Sequence, residues 1–363
     1  MPVYLDKKPP SSEFTHCAKV LGRSPLRPRR SAQKTLEIGI VNNMPDGAVP
    51  ATERQLVTLL DSAAGAYSIR LTFYALPGVP RSESVRRHLD ACYSSVEELW
   101  DRQLDGLIVT GAEPRTPHLS GESYWPSFTK LVQWAELHTY SSIWSCLAAH
   151  AAVLYLDGIE RRRLVDKRFG LFSCVPQTEH LLTAGLSSPI VIPHSRWNDL
   201  FEQDLFQSGY QILTRSDEAG VDSFVKHGKS LFVFFQGHPE YEANSLFLEY
   251  QRDVGRYLRG QRESYPQMPR RYFDRGTEAV LQAVQARALQ RRSEDVLADF
   301  PNESVEGILQ NGWHSAATTI YRNWLAYLSA CQDGRLDTSA REPLREAVLV
   351  RRFAAGANKP IEI

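Results

Sequence analysis

The sequence predicts an α/β fold in which a parallel sheet is covered by helices on both faces. Three observations carry this. Strand-like apolar runs alternate with helix-like segments over the first 155 residues, the pattern of a sheet built by helical crossovers. A run such as Gly106-Leu107-Ile108-Val109 is apolar throughout, as strands buried on both faces are. Three of the runs end in a turn of small or polar residues, at Asn42, Gly111 and Cys146, and in such sheets the loops at the carboxyl ends of the strands build the site.

Residues 1–34 are rich in Pro, Ser and Arg and end in Arg23-Ser-Pro-Leu-Arg-Pro-Arg-Arg30; they read as an irregular surface arm. Leu36 to Val41 is the first strand, closed by the turn-rich Asn42-Asn43-Met44-Pro45-Asp46-Gly47. Thr52-Glu53-Arg54-Gln55 has the pattern of a capping box, followed by Leu56, Leu59 and Leu60 at helical spacing. Ser68 to Tyr74 is a second strand, and Ser95-Val96-Glu97-Glu98 a second capping box. After the Gly106 strand, Phe128 to His138 is an amphipathic helix with Leu131, Trp134, Ala135 and His138 on one side. Ser141 to Ser145 is a strand, Cys146 its turn, and the alanines from Ala148 open a helix. Arg161-Arg162-Arg163 and Asp166 to Gly170 form a basic segment, read as a solvated face with a phosphate contact as the sharper alternative. Pro193 to Trp197 reads as a polar loop and Leu231 to Phe235 as a buried strand ending in Gln236-Gly237-His238-Pro239-Glu240-Tyr241. Ser245 to Arg256 is helical. Two C-terminal helical additions follow, Thr277 to Gln290 with Val280, Leu281, Val284 and Leu289 as its apolar face, and Ser315 to Leu328. The organisation is therefore an α/β domain over 35–265, a helical extension packed on it over 266–330, and a charged tail over 331–363.

The 363 residues are 42% hydrophobic and 23% charged, with 42 basic and 42 acidic side chains, so charge gives no reason to expect nucleic acid as a partner. No apolar run approaches the roughly 18–20 residues of a membrane span, and the N-terminus lacks the apolar core of a secretory signal. Cys17, Cys92, Cys146, Cys174 and Cys331 are odd in number and widely spaced, unlike a disulfide framework or a zinc site. The expectation is a cytoplasmic protein with reduced thiols, no metal and small-molecule substrates.

Chemistry concentrates at two turns. A cysteine at a strand-to-helix turn lies at the positive end of a helix dipole, which favours the thiolate and offers amide donors to an oxyanion. A histidine emerging from a buried strand, with a carboxylate two residues on to fix its tautomer, is a general base. Cys146, His238 and Glu240 together read as a nucleophilic triad. The amide of Leu147, with a donor from Gly111 or Ala112, is the candidate oxyanion hole.

With these residues in view, the chain resembles the homoserine O-acyltransferase (homoserine O-succinyltransferase) family, within the class I glutamine amidotransferase-like, flavodoxin-like fold. The matching stretches are Asn43-Met44-Pro45, Leu104 to Ala112, Tyr124-Trp125-Pro126, Cys146 with its alanine helix and Gly158-Ile159, Lys167 before Gly170, Pro193-His194-Ser195-Arg196, Gly237 to Tyr241, Arg252-Asp253-Val254 and Asn323-Trp324-Leu325. They run collinearly from about residue 36 to 330. The resemblance implies acyl transfer from succinyl-CoA or acetyl-CoA, as co-substrate rather than bound cofactor, through a Cys146 thioester to the hydroxyl of homoserine, in methionine-type biosynthesis. It implies that Lys167 belongs to the active site, that Ser195, Arg196 and Arg252 hold the acceptor, and that the protein is a homodimer. Relative to the family, Leu147 replaces Trp, His150 replaces Gln, Asp46-Gly47 replaces a basic pair, two extra residues precede Glu53, and 275–311 is an insertion. Arg115 falls where relatives carry the Gly or Glu that helps set donor choice, and is expected to pair with the free carboxylate of a succinyl group.

Three other readings stay open on sequence alone: serine or another hydroxy amino acid as acceptor, a cysteine-dependent glutaminase or peptidase of the same fold, and a catalytically silent binding protein. Ser145 and Leu147, where glutaminases carry glycines, weigh against the second. Retention of nucleophile, base and orienting acid weighs against the third.

Overall fold

The computed structural model describes residues 3–6, 34–302 and 309–336. Cys17, the Arg23–Arg30 cluster, residues 303–308 of the proposed insertion and the tail beyond 336 lie outside the described residues. In chain order the elements are β1 (Val3–Leu5), β2 (Thr35–Val41), α1 (Val49–Ala63), β3 (Ser68–Tyr74), α2 (Glu83–Cys92), α3 (Val96–Trp100), β4 (Leu104–Val109), α4 (Trp125–His138), β5 (Thr139–Ser145), α5 (Leu147–Asp157), β6 (Arg162–Pro176), β7 (Ile190–Asp199), α6 (Glu202–Gln207), β8 (Gln211–Ser216), β9 (Gly220–His227), β10 (Leu231–Phe235), α7 (Ser245–Leu258), α8 (Arg275–Gln290) and α9 (His314–Gln332).

Ten strands make one sheet in the order β1-β3-β2-β4-β5-β10-β9-β8-β6-β7. From β1 to β10 every pairing is parallel; from β10 to β7 every pairing is antiparallel. The fold is thus the expected α/β sheet with helices on both faces. Alternation along the strands sorts the core, since successive side chains point to opposite faces. On β10, Val233 and Phe235 join a cluster with α1 and α9, whereas Phe232 and Phe234 join one with α3, α4 and α5. Trp324 of α9 is fully buried and donates from Nε1 to Ser141 Oγ at 2.9 Å, so this helix is one of the layers covering the sheet. A third cluster gathers α7, α8, Phe300 and Trp313 around Phe169.

Several expectations need correction. Residues 3–5, read as part of an irregular arm, add a parallel edge strand: Val3 pairs with Ile69 and buries its side chain, and the Asp6 amide donates to Leu71. Three residues are too few to show a period. The Thr52 capping box is not a helix start. The helix begins at Val49 with Pro50 in its first turn, where a fixed φ and a missing N–H are tolerated. Glu53 lies inside the helix and instead accepts from the Tyr93 hydroxyl at 2.7 Å. The Ser95 box forms as expected. Pro193 to Trp197, read as a loop, is the middle of β7. In α8, Leu281 and Val284 are buried, but Val280 and Leu289 are exposed.

Candidate active site

The loops after β2, β4, β5 and β10 meet at the carboxyl edge of the parallel strands. Asn43 ties the first two together, its amide donating to Thr110 Oγ1 at 2.9 Å and its side chain to the Thr110 carbonyl at 3.2 Å. Gly111 then lies against the start of α5. A Cβ there would stand 2.4 Å from Leu147 Cβ and 2.9 Å from the Ala148 nitrogen, so only glycine allows this approach.

Cys146 is the hinge between β5 and α5. Its φ of 50° and ψ of −109° fall outside the regions an ordinary side chain prefers, a conformation that costs about 1–3 kcal/mol. The surrounding structure holds it there: the Cys146 amide donates to Phe235 at 2.7 Å and its carbonyl accepts from His150. The turn lifts the sulfur to the mouth of the helix, where the first amides of α5 have no intrahelical acceptor.

His238 follows β10, its amide fixed by the Pro193 carbonyl at 2.8 Å. Nδ1 lies 2.9 Å from Glu240 Oε1, and the Cys146 sulfur is close enough to act on the charge of the ring. Burial opposes charge on this imidazole, yet the Glu240 carboxylate and the Cys146 sulfur outweigh it and hold the pKa well above the ordinary value. Tyr241 stacks on the ring, with centroids 4.2 Å apart, and Ser145 Oγ donates to Glu240 at 3.2 Å. Cys146, His238 and Glu240 are therefore brought together.

A charged cluster borders them. Lys167 Nζ reaches Asp253 at 3.1 Å and Glu249 at 3.5 Å. Arg252 donates to Asp253 Oδ1 from Nε at 3.1 Å and from a terminal nitrogen at 3.0 Å, its side chain half exposed. Glu249 accepts from the hydroxyls of Ser195 and Tyr241; burial raises its pKa, but Lys167 and Arg252 prevail and hold it below the usual carboxylate range. Lys167, Ser195 and Arg252 thus meet on one patch.

The remaining candidates sit elsewhere. Ser195 and Arg196 point to opposite faces of β7, as neighbours on a strand must. Arg196 is buried and engaged internally, 2.7 Å from Asp199 and donating to the Asn198 and Ala219 carbonyls and to His194 Nδ1. Arg115 is exposed; Glu122, which accepts from its amide and that of Thr116 at 2.7 Å, pins its loop. Cys174, His194 and Asp222 form a buried group with potential metal-ligand atoms within 4.8 Å of one another. His194 Nε2 lies 3.1 Å from Asp222 Oδ1, though neither atom makes a well-formed hydrogen bond; the other Asp222 oxygen accepts from Thr214, and burial pushes the Cys174 thiol far up. Sequence reasoning missed Glu249, Tyr241 and Ser145, although the last two flank residues it chose.

The family model for homoserine O-succinyltransferase matches residues 2–334. The chain belongs to that family. A homoserine O-succinyltransferase from Rhodopseudomonas palustris is 46% identical over 321 residues, covering 88% of this chain and 94% of the relative. One from Bradyrhizobium japonicum is 49% identical over 295 residues, covering 81% and 90%. Among solved structures, a glutamine amidotransferase from Methylobacillus flagellatus shares a TM-score of 0.44 at 13% identity, covering 82% of this chain and 96% of that one. Membership of the homoserine O-succinyltransferase family makes the protein an acyltransferase that acts on small molecules. Among the described residues no helix is long and apolar enough to cross a membrane.

Proposed function

We propose that the protein transfers a succinyl group from succinyl-CoA to the hydroxyl of homoserine through a Cys146 thioester, a step of methionine biosynthesis. The observation that carries this is the Cys146–His238–Glu240 arrangement at the strand edge, in a chain of this family. In the first half-reaction the Cys146 sulfur, its proton on His238, attacks the thioester carbonyl. The developing oxyanion is received by the Leu147 amide and a donor of the Gly111–Ala112 loop. Collapse expels CoA as a thiolate, which takes the proton from His238. In the second, His238 removes the hydroxyl proton of homoserine, the alkoxide attacks the acyl-cysteine, and the Cys146 thiolate leaves. Glu240 keeps Nδ1 protonated throughout, so Nε2 faces the reacting atoms.

The patch beside the triad suits an amino acid. Arg252 can take the carboxylate in two-point fashion, and Glu249, anionic and desolvated, can take the ammonium. Lys167 holds Glu249 and Asp253 in register. Steady-state kinetics with homoserine and serine, each against succinyl-CoA, test this reading. The expected result is parallel-line (ping-pong) kinetics and O-succinylhomoserine as product. Glutamine or peptide hydrolysis without acyl transfer would contradict it.

A further inference from the structure

Resting on the acyl-CoA reading, we infer that Arg161, at the exit of α5, is the anchor for the free carboxylate of the dicarboxylic acyl group. The basic run at the start of β6 has three arginines, and two are accounted for. Arg162 pairs with Asp204 at 2.6 Å, and Arg163 lies over the Trp197 ring at 4.4 Å. Arg161 has no ion pair among the described residues, and its Nη1 is shut off from solvent with no hydrogen-bond partner. A desolvated guanidinium nitrogen left unpaired is costly, and the cost is relieved when an anion enters.

The charges that act on Arg161 are those of Tyr124, Glu160, Arg163 and Cys146; the nucleophile's sulfur, the last and smallest of them, lies within electrostatic reach. Burial pushes its pKa down, but a guanidinium stays charged. Tyr124 is buried beside it, and burial raises that phenol to about 12, so the hydroxyl keeps its proton and can donate a second hydrogen bond to the same carboxylate. A succinyl group on Cys146 carries a carboxylate two methylenes beyond the thioester carbonyl, and an acetyl group carries none. Arg161 therefore bears on the choice of donor and not on the chemistry of transfer. Arg115, the cation that the family resemblance suggests for this task, stands exposed on its loop.

The test measures kcat/KM for Cys146 acylation by succinyl-CoA and by acetyl-CoA in wild type, Arg161→Gln, Arg161→Lys and Arg115→Ala. Arg161→Gln is expected to slow succinyl-CoA by at least about tenfold, as loss of a desolvated charge pair does, while acetyl-CoA changes by less than about threefold. Arg161→Lys recovers part of the loss, and Arg115→Ala leaves the donor ratio unchanged. An equal fall for both donors in Arg161→Gln, or a ratio that moves with Arg115 and not with Arg161, overturns the assignment. A wild type acylated by neither donor removes the acyl-CoA reading and this inference with it, an outcome separate from either.

Discussion

Strain and hydrogen bonding at single residues set the chemistry. Cys146 is held in a left-handed turn by Phe235 and His150, and Glu240 is held by Ser145 while it orients His238. Replacing Glu240 by Gln should leave KM for both substrates near wild type and lower kcat by roughly 10²-fold or more, since base and orienter act as a unit; stopped-flow release of CoA measures it. Glu249→Gln should act differently. With the proposed ammonium partner gone, KM for homoserine should rise about tenfold while acylation by the donor keeps its rate. Single-turnover acylation and steady-state KM separate the two effects. Cys146, His238 and Glu240 stood out in the sequence because each follows a strand-like run, where a strand must stop and a side chain must emerge, and the structure brings His238 and Glu240 into contact. Glu249 was not. Its role depends on a turn of α7 facing Ser195 of β7, 54 positions away, and nothing local signals that pairing. Arg196, adjacent to Ser195 in sequence, points to the opposite face of the strand and is engaged internally.

Among elements, the parallel strands β2, β3, β4, β5 and β10 were readable, whereas the parallel edge strand β1 and the antiparallel half were not. β2, β3, β4, β5 and β10 are short runs bounded by turns, buried on both faces between α1 with α9 and α3 with α4 and α5. β6 and β7 carry Arg, Lys, Asp and Ser, and the ladder slips between Arg163 and Arg168. The period-2 signal is broken there, so Arg161 to Gly170 reads from sequence as a solvated basic face and Pro193 to Trp197 as a polar loop. The helix α9 closes one face by seating Trp324 and Leu328 on the bare backbone of Gly106, where a Cβ would meet both at 2.7 Å. Gly106→Ala should therefore destabilise the protein by about 1–3 kcal/mol, the usual cost of overpacking. Urea unfolding of the variant, followed by tryptophan fluorescence, should show a lower midpoint at unchanged slope.

At the scale of the whole molecule, buried histidines tie stability to pH. Burial drives His150, which bonds Gln236 at 2.9 Å, down to about 3, and His180 down to about 4. An unfolded histidine titrates near 6.5, so between that value and the folded pKa the unfolded chain binds more protons. Stability from these two groups is complete above pH 6.5 and is lost as pH falls toward 4 and 3. His88 runs the other way. Hydrogen bonds to Cys92 and Glu53 hold it at about 10, so its contribution is complete below pH 6.5 and is lost as pH rises through 10. Urea midpoints across pH should be highest near pH 6.5 and fall on both sides, and His150→Gln should flatten the acid side. The same fold delivers four strand ends to one cleft, and the account of function rests on what happens there to one sulfur. Intact-protein mass spectrometry after exposure to succinyl-CoA, followed by a homoserine chase, measures this most directly. The account predicts a gain of one succinyl group that is absent in Cys146→Ala and is discharged by homoserine as its O-succinyl ester; product formed at an undiminished rate by Cys146→Ala, with no acylated protein in the wild type, would contradict it.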